Sequence, residues 1–464
     1  MPQTIKIKSL AQGSHAIRIE AKPIMLAAQS LLKHRRLLLL QGPMGSFFNQ
    51  LADWLSAHGI ESRKINFNGG DWLFHRRAGT IHYQGRMSTL SRWLRSYIQR
   101  ENIDALVCFG DCRRPHQVAA LVAKELGIAF YAFEEGYLRP DYITLEEGGV
   151  NAFSQLAQNP ERYLLHEPVQ HERPQPTRPS FQRMALTAMA YYGSGWLLRK
   201  QFPYYRHHKD FSPFRECAYW MRAGWRKLLY RITENRLIQR ISDQWHDQYF
   251  LVALQVFNDS QIRQHSAYKD IRDFIVEVID SFAKHASSQH RLVFKHHPMD
   301  RGHRNYSEFI RHRAGEAGIA DRVHYVHDAH LPTLLKRSRG VVTINSTVGL
   351  SAVYHGRPLI AMGRALYDIS GLTFQHGLSR FWNEHYTVDS NLYNKLRSYM
   401  LKHTQLNGAF FGCSPWMSHA KLKPQSDRWH ATFRFGQLTG LTLLVDGGAA
   451  DLLETCLEWL AMIG

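Results

Sequence analysis

No stretch of this chain reaches the roughly 18 consecutive apolar residues that a membrane-spanning helix needs. Its opening residues, MPQTIKIKSLAQGSHAIRIE, lack the apolar core of a secretory signal. Cysteine is scarce as well. Cys108, Cys112, Cys217, Cys413 and Cys456 are odd in number and widely spread, which argues against a disulfide scaffold and suits a reducing compartment. Cys108 and Cys112 have no second pair to complete a zinc site, so no metal is expected. Three catalytic signatures are also missing: the G-x4-G-K-[ST] loop, the G-x-G-x-x-G fingerprint and the G-x-S-x-G elbow. Acidic residues are few, with 39 Asp and Glu against 58 Lys and Arg and a formal charge of +19. That balance calls for a polyanionic partner: nucleic acid, an anionic membrane surface or phosphorylated substrates. These absences predict a soluble or peripheral protein facing the cytoplasm.

What is present is ordinary globular composition, 44% hydrophobic and 21% charged over 464 residues. Arg36–Gln41 reads as a strand, followed by the Gly-rich turn Gly42–Gly45 and a helix from Ser46. Ile103–Gly110, the helical Pro115–Leu126 and Ile128–Phe133 continue the alternation. It returns in Arg291–Lys295, Gly340–Ile344 and Pro358–Met362. Strands alternating with helices predict parallel sheets covered on both faces. The expected fold is therefore α/β, with two Rossmann-type domains (1–160 and 251–410) facing a central cleft. Between them, 161–250 holds 15 Lys and Arg against 8 Asp and Glu, with 17 aromatics. Helices are expected there at Phe181–Lys200, Glu216–Tyr230 and Glu234–Trp245. The apolar Met184–Leu198 suits a helix lying in a membrane interface, or an insertion whose aromatics pack onto the domains. The tail, 411–464, carries a strand-like Leu438–Val445 and a short helical pattern at Asp451–Leu460.

Four constellations could carry chemistry. Glu134 and Glu135 sit at the end of a predicted strand, where α/β active sites form. Their like charges raise at least one pKa, which suits a base or nucleophile. Arg139 offers a planar fork for an anion. A solvated turn with an exposed acid pair would look the same in sequence. Glu146 and Glu147 before Gly148–Gly149 read equally as a cleft element or a turn. Lys295–His296–His297–Pro298, after another strand, could bind a phosphate and stabilise its departure, or form a surface His pair. Pro298 holds residue 297 extended. The rings of adjacent residues diverge, so a shared metal is not expected. Asn345–Ser346–Thr347 lies between a strand and an apolar helix and reads as a cap, with or without a bound phosphate. Asn66–Asp71, with Asn68 and Asp71, is a polar loop that could reach the cleft.

Taken together, these residues resemble a family. Gly42–Phe48, Asn66–Asp71, Glu134–Pro140, Gly148–Asn151, Leu254–Ser260, His296–Pro298, Asn345–Thr347 and Asn407–Gly408 are similar, in order, to bacterial capsule polysaccharide biosynthesis and export proteins of the KpsS/LipB type. The resemblance covers roughly residues 35–410 and implies a GT-B-like retaining glycosyltransferase. Its donor would be CMP-β-Kdo, with no further cofactor. It would add the first Kdo to a phosphatidylglycerol-type lipid and so begin the linker of a Gram-negative capsule. A KpsC-type enzyme and an ABC exporter would be its partners, and its place would be peripheral, on the cytoplasmic face of the inner membrane.

The resemblance also implies roles. Glu135 would be the nucleophile and Glu134 a base or orienter. His297, with His296 and Pro298, would bind the CMP phosphate, and Asn345, Ser346 and Thr347 would hold it at a helix start. Arg139 and Lys295 would meet the sugar carboxylate. Gly42, Gly45, Ser46, Asn68, Asp71, Glu146, Gln255 and Asp259 would border the cleft. The family's extending enzymes carry Glu-Asp-Gly where this chain has Glu134–Glu135–Gly136. Three rivals remain: a nonenzymatic export scaffold, a transferase using another nucleotide sugar, and a nucleic-acid binder, for which no RRM, KH or helix-turn-helix signature is present.

Overall fold

The runs of Leu and Val that mark the strands bury both of their faces. In β1 (Arg36–Leu39), Leu37 and Leu39 enter one core while Leu38 enters another. Such near-continuous apolar strands are those of parallel sheets with helices on each side. The computed structural model describes residues 26–169, 172–206, 213–417, 429–435 and 438–445. The expected helix at Asp451–Leu460 lies outside them.

Along the chain, β2 (Glu61–Asn66), β3 (Thr80–His82), β4 (Ala105–Phe109), β5 (Ala129–Glu135) and β6 (Tyr142–Glu147) follow β1. Then come β7 (Tyr249–Ala253), β8 (Arg291–Lys295), β9 (Val323–Val326), β10 (Gly340–Thr343), β11 (Leu359–Ala361) and β12 (Gln405–Asn407). The last pair is an antiparallel hairpin, β13 (Trp429–Phe435) with β14 (Leu438–Val445).

The first sheet has the order β3-β2-β1-β4-β5-β6-β12. Its first five strands are parallel, and β6 and β12 are antiparallel to their neighbours. The second sheet, β9-β8-β7-β10-β11, is parallel throughout. Numbered within its own half, each parallel set runs 3-2-1-4-5, the doubly wound order. Such sheets bind ligands outside the strand C-termini, where the order reverses. Those points are the loops after β1 and β4 in one half, and after β7 and β10 in the other.

Sequence patterning missed several strands. β2, Glu-Ser-Arg-Lys-Ile-Asn, is too polar to show a strand pattern. β12 lies within the stretch assigned to the second domain, yet it pairs with β6 and completes the first sheet. The helices of the central segment form near their expected places, at Phe181–Leu197, Pro213–Thr233 and Asn235–Asp243. The first of these does not lie free. Tyr191 is buried, and a Cβ on Gly70 would come within 2.6 Å of the Tyr191 carbonyl oxygen. The helix therefore packs directly on Gly69–Phe74 of the first domain.

Candidate active site

Glu134 and Glu135 are the last two residues of β5 rather than a turn beyond it. Side chains alternate along a strand. Phe133 faces the core that holds Leu37 and Leu39, and Ala132 faces the opposite one. The two carboxylates therefore leave the strand on opposite sides. Glu134 turns back and accepts the Glu135 backbone N–H at 3.0 Å. Burial, with the charges of Glu135 and Asp111 beside it, pushes its pKa up to about 7. Glu135 reaches solvent, yet protein surrounds it closely enough to raise its pKa, and Arg139 pulls the other way. Arg139 donates from Nε to the Gly136 carbonyl at 3.3 Å, which leaves the end of its fork open.

The turn after these acids is braced from a distance. Gln405 of β12, fully buried, accepts the backbone N–H groups of Tyr137 (3.0 Å) and Leu138 (3.3 Å). A side chain on Gly136 would meet the Tyr142 carbonyl, so only glycine fits there. Glu146 does not border the cleft, as sequence suggested. It is buried, taking hydrogen bonds from Tyr137 Oη (2.7 Å) and Ser154 Oγ (2.5 Å), and burial raises its pKa to about 7. Tyr137 Oη accepts the Asn151 N–H at 2.6 Å, and Asp111 accepts that of Val150 at 2.7 Å. Glu146 and Asp111 thus hold the Gly148–Asn151 turn. Sequence gave no signal for Asp111 or Gln405, because each acts through a partner distant in sequence; Tyr137 lies within the Glu134–Pro140 motif, but its bracing role was not legible.

At the end of β8, the three basic residues separate into different roles. Lys295 is buried and donates to the carbonyls of His296 (2.9 Å) and His327 (2.8 Å). Burial lowers its pKa to about 8. It therefore shapes the loop instead of meeting a sugar carboxylate. His296 is also buried, with Nδ1 bonded to Tyr325 Oη, and burial lowers its pKa to about 2. His297 is the ring that remains half-exposed. Pro298 follows it, and its backbone is extended as expected (φ −78°, ψ 129°). Its Nδ1 accepts the Met299 N–H at 3.2 Å, so the ring proton sits on Nε2 as a free donor. Burial, then the positive charges of Lys295 and Arg139, lower its pKa to about 4.

The reversal point of the second sheet gathers Gln255, Asp259, Asn345, Ser346 and Thr347. Gln255 Nε2 donates to Asn345 Oδ1 (3.0 Å) and Asp259 Oδ2 (3.2 Å), and its Oε1 accepts the Asn345 N–H (3.1 Å). These three lock the two loops together. Ser346 Oγ accepts the Val348 N–H at 3.2 Å, while Thr347 makes no capping bond. The capping hydroxyl is therefore that of Ser346.

The loops of the first sheet bring a correction. Asn68 caps the helix Gly69–Phe74, accepting the Asp71 N–H at 2.8 Å. Its Nδ2 donates to Tyr191 Oη (2.9 Å), which donates to Asp71 Oδ1 (2.8 Å). The side chains of this polar loop are buried against the central helix Phe181–Leu197, which they anchor. Gly45, at φ +102°, would place a Cβ 3.0 Å from Thr187 of that helix, and a Cβ on Gly42 would meet the Phe48 ring. Ser46 Oγ accepts Gln50 Nε2 at 3.3 Å. Among the described residues, no group of three His, Cys, Asp or Glu is placed to hold a metal ion.

The two halves meet beside these sites. Gln261 Nε2 donates to Cys112 Sγ (3.4 Å) and Gln264 Nε2 to the Cys112 carbonyl (3.2 Å). Arg139 of the first half acts electrostatically on His297 of the second. Two doubly wound domains, with carboxylates at one sheet's end and an imidazole donor at the other's, define a GT-B-like α/β protein.

Residues 104–411 match the family described as capsule polysaccharide biosynthesis protein. The chain is 46% identical over 381 residues to the capsule polysaccharide export protein KpsS of Escherichia coli, covering 82% of this chain and 98% of that one. It is 40% identical over 391 residues to the capsule polysaccharide modification protein LipB of Neisseria meningitidis serogroup B, covering 82% and 93%. A solved structure described as Thermosulfurimonas dismutans KpsC, beta Kdo 2,7 transferase, aligns over 78% of this chain and 89% of that one at 12% identity, with a TM-score of 0.37. The chain belongs to the capsule polysaccharide biosynthesis protein family.

Proposed function

We propose that the chain is a retaining glycosyltransferase. It moves the first β-linked Kdo from CMP-Kdo to a phosphatidylglycerol-type lipid, beginning the linker of a Gram-negative capsular polysaccharide. One observation carries the reading: an exposed carboxylate, Glu135, ends one sheet's β5 with Arg139 close by in the same turn, and His297, with Nε2 left as a donor, follows the other sheet's β8.

In the first step the Glu135 carboxylate attacks the anomeric carbon. The bond from that carbon to the CMP phosphate oxygen breaks, and CMP leaves with the electron pair. His297 Nε2–H donates a hydrogen bond to the departing phosphate, acting as a neutral donor. Ser346 and Thr347 lie beside that phosphate, and Arg139 pairs with the sugar carboxylate. In the second step the lipid hydroxyl attacks the same carbon, Glu135 departs as carboxylate, and the hydroxyl proton passes to a base. Glu134, half ionised near neutrality, suits that role. Two displacements restore the starting configuration, the logic of covalent catalysis.

The reaction places the enzyme peripherally on the cytoplasmic face of the inner membrane, handing its product to a KpsC-type transferase and the capsule exporter. No cofactor or nucleic acid takes part. The experiment is mass analysis of product from CMP-Kdo and a fluorescent phosphatidylglycerol analogue. The reading expects a single Kdo added to the lipid. Product from UDP-sugars alone, or none from any donor, would overturn it.

A further inference from the structure

The helix Pro213–Thr233 is two-sided, and only one side is covered by the described residues. Its inner side grips the second domain. Arg222 Nε donates to the Gly302 carbonyl (2.6 Å) and Arg226 Nη1 to that of Arg301 (2.9 Å). Tyr230 stacks on the His327 ring with centroids 3.8 Å apart. Just beyond the helix, buried Glu234 accepts the His327 N–H at 2.8 Å. The helix is therefore fixed to the same loop that positions Lys295.

On its outer side, Met221, Trp225, Leu228 and Ile232 recur at helical spacing, 68%, 68%, 55% and 70% exposed. An apolar stripe of this length on a clamped helix is not an incidental surface feature. Lys227 and Arg231, also exposed, lie within the stripe's span. The helix carries five Lys and Arg (Arg215, Arg222, Arg226, Lys227, Arg231) against Glu216 alone. Apolar side chains including Trp, flanked by basic residues, match the two layers of an anionic bilayer surface: acyl boundary and phosphate headgroups. A two-fold contact with a second copy would instead bring these like charges together. No helix of the described residues is long and apolar enough to cross a membrane, so the fit is that of a helix lying on one.

We infer that the outer face of Pro213–Thr233 seats the protein on an anionic phospholipid bilayer, with Met221, Trp225, Leu228 and Ile232 entering the acyl boundary. This deepens the lipid-acceptor reading above by naming the surface that meets the lipid. Seated this way, the helix presents the domain that holds His297 to the membrane as a rigid body.

The test is co-sedimentation of the full chain with phosphatidylglycerol/phosphatidylcholine vesicles and with pure phosphatidylcholine vesicles. Binding is expected to the first and to be weak for the second. Trp225→Glu with Ile232→Glu should lower partitioning at least tenfold. Lys227→Gln with Arg231→Gln should lower it by roughly tenfold or more at low salt, with little effect at high salt. Circular dichroism melting checks that each variant folds, and each should keep wild-type turnover on a short, water-soluble acceptor. Unchanged vesicle binding by Trp225→Glu/Ile232→Glu would overturn the inference. So would failure of the wild type to bind anionic vesicles, or loss of self-association alone in the variant, which would assign the stripe to a second copy. Vesicle binding without any Kdo transfer would sink the proposed reaction and leave the membrane face standing.

Discussion

The two sheet ends that face the cleft share a topology and differ in chemistry. At the end of β5, burial raises the pKa of Glu134 and Glu135; at the end of β8, burial lowers those of Lys295, His296 and His297. Desolvation penalises whichever form is charged, so it pushes acids up and bases down. Both ends are driven towards neutrality, and Arg139 remains as the charge placed between them. In the proposed reaction the strong charges would arrive with the substrate, as a nucleotide phosphate and a sugar carboxylate. The protein's neutral donors then act where water is excluded and hydrogen bonds count for more.

The largest effect expected from breaking this contrast is at the carboxylate end. Glu135→Gln should lower kcat by more than about a thousandfold, the scale on which loss of a covalent nucleophile is felt. Equilibrium dialysis should show CMP binding unchanged. At the imidazole end, His297→Ala should cost about a hundredfold in kcat, the usual effect of losing one donor to a developing negative charge. His297→Gln, which keeps a neutral N–H donor, should recover part of that loss. A His297→Gln enzyme as poor as His297→Ala would show that the ring acts by more than donation.

Removing Arg139 probes the charge between the two ends. Its field lowers the pKa of both Glu135 and His297, so Arg139→Ala should raise both. The acidic limb of the kcat/KM profile, set by ionisation of Glu135, should move to higher pH, and KM for the donor should rise. An unshifted limb with a raised KM would confine Arg139 to binding.

The smallest effect concerns stability. Glu146 keeps its proton up to about pH 7 in the folded chain, against 4.5 as its ordinary value. Folding therefore takes up a proton between those values, and this group's contribution is lost as pH rises through that window. Glu146→Gln should flatten the pH dependence of chemical denaturation there by up to about 1.4 kcal/mol per pH unit. It should also lower Tm by a few degrees, through one lost hydrogen bond to Tyr137 or Ser154.

Much of this was legible in the sequence, and the rest was hidden for physical reasons. The alternation of Leu37–Leu39, Val341–Val342 and their kin announced two α/β halves, because buried parallel strands are apolar throughout. The positions of Glu134, Glu135, His297 and Ser346 at or just beyond strand ends were visible because polar residues that close an apolar run mark a strand's end; their roles belong to the proposed reaction. Lys295 and Glu146 were misplaced because sequence shows charge without showing burial. Asn68 and Asp71 pointed to a ligand loop, whereas their partner is Tyr191, 120 residues beyond Asp71. Gln405 was silent, since β12 reaches the first sheet only by a return of the chain. The central segment was read as basic and aromatic, and its membrane candidate was placed on Met184–Leu198. Tyr191 buries the inner face of that helix while Met189 and Trp196 stay exposed on it, and Pro213–Thr233 adds four exposed apolar side chains at helical spacing.

The most direct test is to trap the glycosyl–enzyme intermediate. The full chain would be incubated with CMP-Kdo without acceptor, then digested and mapped by mass spectrometry. The account predicts one Kdo residue on the peptide spanning Glu134–Arg139, attached at Glu135 and absent from Glu135→Gln. A Kdo adduct on another residue, or full lipid transfer by Glu135→Gln, would contradict it.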